Sequence, residues 1–335
     1  MTRILIAGGY GLVGSWIARH IRAAGHPVEL VIGGRRPHAG RDIAQEVDAS
    51  LARVDTEDAT VCLAAAGPVD LVVSALQDPD DRLLRAALDA GSAYIGIVRK
   101  ADNVGPTAIM AVSQATQPVL LMGHWQAGVT TYATLAAARE VEQVERIEMA
   151  ALFDPADAAG PMATTDSGSF FSKALIRRDR RWQWITPTDH PRVVERNALP
   201  AFTAQPMGVL DVPGIAAVTD APHVRFDLGI GTSIGSAAGG LPSHEIYVDV
   251  HGLDRAGART ARRATVSDPY GQAHLTALGA LIGAERILGL DGAAPLGPGL
   301  ALPERAVDPE RAIDRLRQFA VSVKTEPLLP QRSAA

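Results

Sequence analysis

The sequence predicts an α/β protein, a doubly wound parallel sheet carrying an inserted α+β region. Three observations predict it. From Arg3 to Met122, short apolar runs alternate with helical patterns across short connections. A glycine-rich turn, Gly8-Gly9-Tyr10-Gly11-Leu12-Val13-Gly14, joins the first apolar run to the first helical stripe. After Gly123 the alternation stops, and prolines, loops and a period-two strand replace it.

The first unit is strand, turn, helix, strand. Arg3 to Ala7 is the first strand. A helix follows to about Ala24, with Val13, Ile17 and Ile21 on one stripe and Gly25 ending it. Pro27 to Ile32 is the second strand, and it runs into Gly33-Gly34-Arg35-Arg36. In Gly9-x-Gly11-x-x-Gly14 the first glycine permits the tight turn. The second lets backbone approach a pyrophosphate, and the third lets helix and strand pack closely. The N–H groups of Leu12, Val13 and Gly14 at the helix start then face the phosphates. An NAD site places an acid at the end of the second strand for the ribose 2′-hydroxyl. Here that end is Gly33 and Gly34, followed by Arg35 and Arg36, which suit a 2′-phosphate through bidentate guanidinium pairing. The expected cofactor is therefore NADP(H).

The remaining elements follow in order. A helical stretch from His38 to Glu46 precedes a third strand, Leu51 to Asp55, whose terminal Asp55 stands where an adenine edge lies in such sheets. Val69 to Ser74 is an apolar run of the kind buried on both faces in parallel sheets. Asp78-Pro79 signals a helix start, with Leu84, Ala87 and Leu88 inward and Gly91 at its end. Tyr94 to Val98 and Val119 to Met122 are strands five and six. Residues 129–140 read as helix and 144–153 as a half-buried strand. Residues 154–240 read as loop-rich, with an Arg/Trp cluster at 177–184. His244 to His251 alternates as an antiparallel strand, and Arg262 to Val266 pairs with it. Asp268-Pro269 and Asp308-Pro309 open two late helices. The expected division is 1–123 for nucleotide binding, with helices from 268 to 325 packing back on it. The segment 124–267 forms an α+β substrate and dimerisation domain, and 327–335 a disordered tail.

Composition narrows the function. Hydrophobic residues at 47% against 21% charged give an ordinary globular chain. A net charge of −5 argues against nucleic-acid or anionic-membrane partners. Cys62 is the only cysteine, which excludes intramolecular disulfides and cysteine metal sites. The histidines form no HExxH or cluster, so no protein-bound metal is expected. The chain opens directly on its first strand and holds no apolar run of membrane-spanning length, so a cytoplasmic protein is expected.

Ligands in open α/β sheets bind beyond the carboxyl ends of the strands. That rule selects Ser74, Ala75 and Leu76 beside the nicotinamide ribose. It also selects Arg99 and Lys100 after strand five, and His124, Trp125 and Gln126 after strand six. Hydride transfer asks the protein for alignment and a proton source. His124 is the first candidate because imidazole titrates near neutrality. Lys100 is second and Tyr270 third; an iminium substrate arrives protonated and needs none of them. Asp166 and Ser167, in a hydroxyl-rich loop before Phe170, suit a substrate amine or carboxylate.

Several marks coincide: Gly8-Gly9-Tyr10-Gly11-x-x-Gly14, Gly33-Gly34-Arg35, Leu84-x-x-Ala87-Leu88-x-Ala90-Gly91-x-x-Tyr94, Gly123-x-x-x-x-Gly128, and Leu302-Pro303-Glu304 before Asp308-Pro309-Glu310. Together they resemble the saccharopine dehydrogenase-like (saccharopine reductase) NADP-binding family, well over 1–128 and more loosely over 240–320. The resemblance implies a Rossmann domain, an inserted α+β domain that often makes a homodimer, and hydride exchange between NADP(H) and a carbon–nitrogen bond of a small molecule. The turns Ser74-Ala75-Leu76-Gln77 and Gly96-Ile97-Val98-Arg99-Lys100 depart from the family pattern, so reduction of a polarised C=C or C=O bond is a second reading. A noncatalytic NADP sensor is a third. A working short-chain dehydrogenase needs Tyr-x-x-x-Lys. The tyrosines here are followed by Gly14, Val98, Ala136, His251 and His274 instead.

Overall fold

The structure, a computed structural model, describes residues 1–98, 101, 104–160, 172–197 and 199–328. Two compact units emerge. The first comprises chiefly Met1–Gly128 and Ala273–Val307, the second chiefly Val129–Ala158, Asp166–Gln272 and Asp308–Ala335.

The first unit is built on β1 (Thr2–Ala7), β2 (Val28–Gly34), β3 (Ala49–Arg53), β4 (Leu71–Ser74), β5 (Ala93–Gly96) and β6 (Pro118–Leu121). All pair in parallel in the order β3-β2-β1-β4-β5-β6, and the short strand Gly299–Ala301 adds beyond β6. The strands hold because their branched side chains are buried on both faces. Leu5, Val31, Val72, Tyr94 and Val119 pack with Leu84 and Ala87 of the helix Arg82–Asp89. Each such burial stabilises by roughly 1.5–3 kcal/mol. Strand order reverses between β1 and β4, which opens a crevice at their carboxyl ends.

The second unit is a mixed sheet. Strand Gln143–Phe153 runs parallel to His223–Ile230 and antiparallel to His244–Leu253, and Arg259–Asp268 and Ser322–Pro327 complete that side. The helix Val129–Ala138 is buried at every position. It packs on His244–Leu253 and Arg259–Asp268, and against the helices Asp211–Thr219 and Pro309–Gln318. Thr131 Oγ1 donates to Asp211 Oδ1 at 2.8 Å within that contact.

Three expectations change. The last helix, Pro309–Gln318, and the strand Ser322–Pro327 belong to the second unit rather than the first, because the strand pairs with Arg259–Asp268. Pro327 is therefore in a strand, and Leu328 N–H bonds Ala261 O; residues 329–335 lie outside the described ones. The stretch read as loop-rich carries the hairpin Ala174–Arg178 with Arg181–Ile185, the strands Arg192–Arg196 and Leu199–Pro206, and a helix. The hairpin turn is made by Asp179 and Arg180, both with positive φ (51° and 63°), where a glycine would have advertised it.

Candidate functional site

The loop between β1 and the helix Leu12–Ala23 is shaped by its glycines. Gly8 holds φ at 81°, and the N–H groups of Gly8 and Gly9 both donate to Gly33 O. A Cβ on Gly14 would overlap Gly8 O and lie 2.8 Å from Gly9 Cα; one on Gly9 would sit 2.8 Å from Ile6 O. Those two glycines let helix and strand meet. At Gly11 an added Cβ would meet only Gly8 O, at 3.1 Å, so that glycine keeps an approach open rather than a contact closed. Gly11 is also the N-cap, and it has no side-chain cap; no acid lies in the first turn. Leu12, Val13 and Gly14 therefore begin a helix of 12 residues with bare N–H donors. Loop and helix end fit a pyrophosphate.

Tyr10 explains the end of β2. A side chain at Gly34 would overlap the Tyr10 ring, and Arg36 N–H donates to Tyr10 Oη at 3.0 Å. The site of an NAD-type acid is thus closed by an aromatic ring fastened to the strand end. Arg35 and Arg36 are exposed, and among the described residues neither guanidinium is ion-paired. Asp55, expected near the adenine, is tied up locally: Oδ1 accepts from Glu57 N at 3.3 Å and Oδ2 pairs with Arg53 at 3.0 Å.

Across the switch, Ser74 is buried at the end of β4. Ala75 N–H donates to Ala7 O at 2.9 Å, and Ile97 N–H to Ser74 O at 3.3 Å. A Cβ on Gly8 would stand 2.9 Å from Ala75 O and 3.6 Å from Leu76 Cβ, so the turns after β1 and β4 are in contact. The segment Ser74, Ala75 and Leu76 lies beside the glycine loop.

Beyond β6 the chain turns through an unusual backbone. Gln126, Ala127 and Gly128 have φ of 52°, 48° and 92° in succession. Two non-glycine residues in the left-handed region carry strain of the kind concentrated at functional sites. The turn is held by Ala127 N–H to His124 O, 3.1 Å, and by Thr276 Oγ1 donating to Gln126 Oε1. Helix Gln272–Leu288 approaches it through Gly279, where a Cβ would overlap Gln126 O and Ala127 O. Trp125 is half-buried beside them. His124 is buried, and its Nε2 lies 3.2 Å from Glu304 Oε2, whose side chain is also buried. The distance suits an ion pair, although the two atoms do not align as a hydrogen bond. His124 Nδ1 has no hydrogen-bond partner among the described residues.

The dyad is a product of topology. Strand Gly299–Ala301 pairs in parallel with β6, so the residues three beyond each strand end, His124 and Glu304, arrive together. Sequence reading singled out His124 and missed Glu304. Its signal was present: Pro303 at a helix start with an acid in the first turn, following a short apolar strand.

Of the other expected residues, Tyr270 is among the described ones. Tyr270 belongs to the second unit and is half-exposed, its N–H bonded to Asp268 Oδ1. Lys100, with Arg99, and the pair Asp166 and Ser167 lie outside the described residues. Among the described residues no group of acids, histidines and cysteine could hold a metal, and no helix is long and apolar enough to cross a membrane.

The sequence matches no protein-family model and no curated protein. Solved structures do match. Apo saccharopine dehydrogenase (L-Glu forming) from Saccharomyces cerevisiae is similar over 98% of this chain and 100% of its own, with a TM-score of 0.70 at 11% identity. Homospermidine synthase from Legionella pneumophila, in complex with NAD, is similar over 100% of this chain and 93% of its own, with a TM-score of 0.69 at 11% identity. Amine dehydrogenase from Mycobacterium smegmatis follows at a TM-score of 0.53 and 12% identity, over 91% and 96%. This chain therefore has the saccharopine dehydrogenase-like fold, a parallel Rossmann sheet with a second, mixed-sheet unit.

Proposed function

We propose that this protein is an NADP(H)-dependent oxidoreductase that exchanges hydride with the carbon of a C=N (imine/amine) substrate. One observation carries the reading: an uncapped, glycine-shaped helix start beside the β1/β4 switch, with two exposed guanidiniums at the end of β2 that make no ion pair among the described residues. The bare N–H groups bind the pyrophosphate, and Arg35 and Arg36 bind the 2′-phosphate. Tyr10 fills the place of the acid that would prefer an unphosphorylated ribose. A bound nicotinamide supplies the hydride chemistry. Ser74, Ala75 and Leu76 border its ribose, and His124 gives or takes the proton. The structural neighbours named for an amine dehydrogenase and a homospermidine synthase favour carbon–nitrogen chemistry over C=C or C=O reduction. The reading extends to a small-molecule substrate and a homodimer formed through the second unit, in the cytoplasm.

Calorimetric titration tests the cofactor. NADPH is expected to bind at least tenfold tighter than NADH. Replacing Arg35 and Arg36 together by alanine is expected to weaken NADPH roughly 10- to 100-fold, about 1.4–2.7 kcal/mol, and to leave NADH unchanged. Preference for NADH would discard the role of the arginines. Tight NADPH binding without consumption of any imine, ketone or enone would favour a sensor.

A further inference from the structure

We propose that Glu304 is the positioning residue for His124, holding the ring proton on Nε2 so that Nδ1 is the working nitrogen. The inference rests on the reading of His124 as the proton-handling group and adds a partner and an atom to it.

The geometry assigns the roles. Glu304 Oε2 stands 3.2 Å from Nε2 and not from Nδ1. A carboxylate beside one ring nitrogen favours hydrogen on that nitrogen, in the neutral ring and in the doubly protonated one alike. Nδ1 is then the nitrogen whose proton comes and goes. Nδ1, Nε2 and Glu304 Oε2 are all buried with no hydrogen-bond partner among the described residues; the carboxylate 3.2 Å away is at hand for Nε2, which leaves Nδ1 as the nitrogen whose need, worth about 1–3 kcal/mol, a substrate atom would meet. Both side chains of the dyad are nearly inaccessible, 1% and 4% exposed, so the attraction between an imidazolium and Glu304 is little screened. Their backbones are held as well: His124 by the left-handed turn through Gly128, Glu304 by the helix Pro303–Ala306 after the seventh strand.

The proton balance is simple. When hydride from the nicotinamide reaches the carbon of a neutral imine or carbonyl, the π bond breaks and its electron pair goes to nitrogen or oxygen. That atom takes the proton from Nδ1, leaving a neutral ring with hydrogen on Nε2. In amine oxidation the nitrogen returns the same proton to Nδ1. Glu304 gains and loses no proton; it steadies the charge that His124 carries in between.

Nitrogen-15 NMR of histidine-labelled protein with NADP⁺ added tests this, His124 being assigned by its loss in His124→Asn. The wild type is expected to show hydrogen on Nε2 and an exchanging Nδ1. A wild-type ring with bare Nε2 and protonated Nδ1 would overturn the proposal without any variant. Glu304→Gln is expected to mix the tautomers and to lower kcat for any substrate turned over by roughly 10- to 100-fold, the usual loss when an orienting partner is removed. NADPH affinity should stay at its wild-type value, and Glu304→Asp should restore much of the rate. The double variant with His124→Asn should be no slower than His124→Asn alone. An unchanged tautomer in Glu304→Gln, or fully additive losses, would sink the dyad. Absence of nicotinamide nucleotide binding would instead sink the functional reading that the dyad serves, and it is read separately by titration.

Discussion

At the scale of single residues, the glycine loop after β1 is shaped by what its side chains omit. Gly14 is the sharpest case, since a methyl group there would overlap Gly8 O. Gly14→Ala is expected to destabilise the protein by about 1–3 kcal/mol through overpacking and to abolish nucleotide binding, because the loop must move away from the helix start. A melting curve and an NADPH titration check both. An unchanged affinity would mean that the loop does not hold the pyrophosphate. The shape of this loop was legible in the sequence because glycine spacing is local information. Tyr10 over Gly34 was not, because a residue's cover depends on the ring that folds onto it. Glu304 was legible only as a helix-start acid, since its partner is 180 residues away, at His124.

At the scale of elements, Asp78 shows a signal read correctly in kind and displaced in detail. The sequence Asp78-Pro79 promised a helix beginning at Pro79. The helix begins instead at Arg82, after Asp81 in the left-handed region at φ 57°. Asp78 still caps it from a turn away: its carboxylate accepts from the N–H groups of Arg82, Leu83 and Leu84 at 2.9, 2.9 and 3.3 Å. Asp78→Ala is expected to lower stability by about 0.5–2 kcal/mol, measured by urea denaturation, with NADPH affinity kept. A change in affinity without a change in stability would assign Asp78 to the site instead. Glycines also act at this scale. Gly279 and Gly283 lie four apart on one face of Gln272–Leu288. They bring that helix against the 126–127 turn and against Met122, and replacing either with a larger residue would push helix and turn apart.

At the scale of the whole molecule, each unit buries a histidine that the folded chain keeps neutral. In the first unit His20 is lowered to about 3, by burial and then by the charge of His274. In the second His244 is lowered to about 3 by burial alone. Both folded values lie below the ordinary 6.5. The unfolded chain therefore takes up protons first as pH falls, and the stability is complete above about 6.5. It is lost between there and about 3, at about 1.4 kcal/mol per pH unit per histidine. Urea midpoints are expected to fall from slightly acidic pH downward, and His244→Asn should flatten the fall. A midpoint constant to about pH 4 would show that neither ring resists protonation.

The sequence by itself determined the parallel sheet, its strand succession and the glycine-shaped loop after β1. Each depends on apolar runs, glycines and caps within some thirty residues. It did not determine where the units divide, which side the last helix and strand join, or the strands within 154–240. Those follow from pairing between distant segments: Ser322–Pro327 finds its partner in Arg259–Asp268, and the 174–185 hairpin closes on a turn without glycine. The His124–Glu304 pair belongs to the same class. A seventh strand beside β6 sets the two ends together, and no local pattern records a neighbour chosen by the sheet.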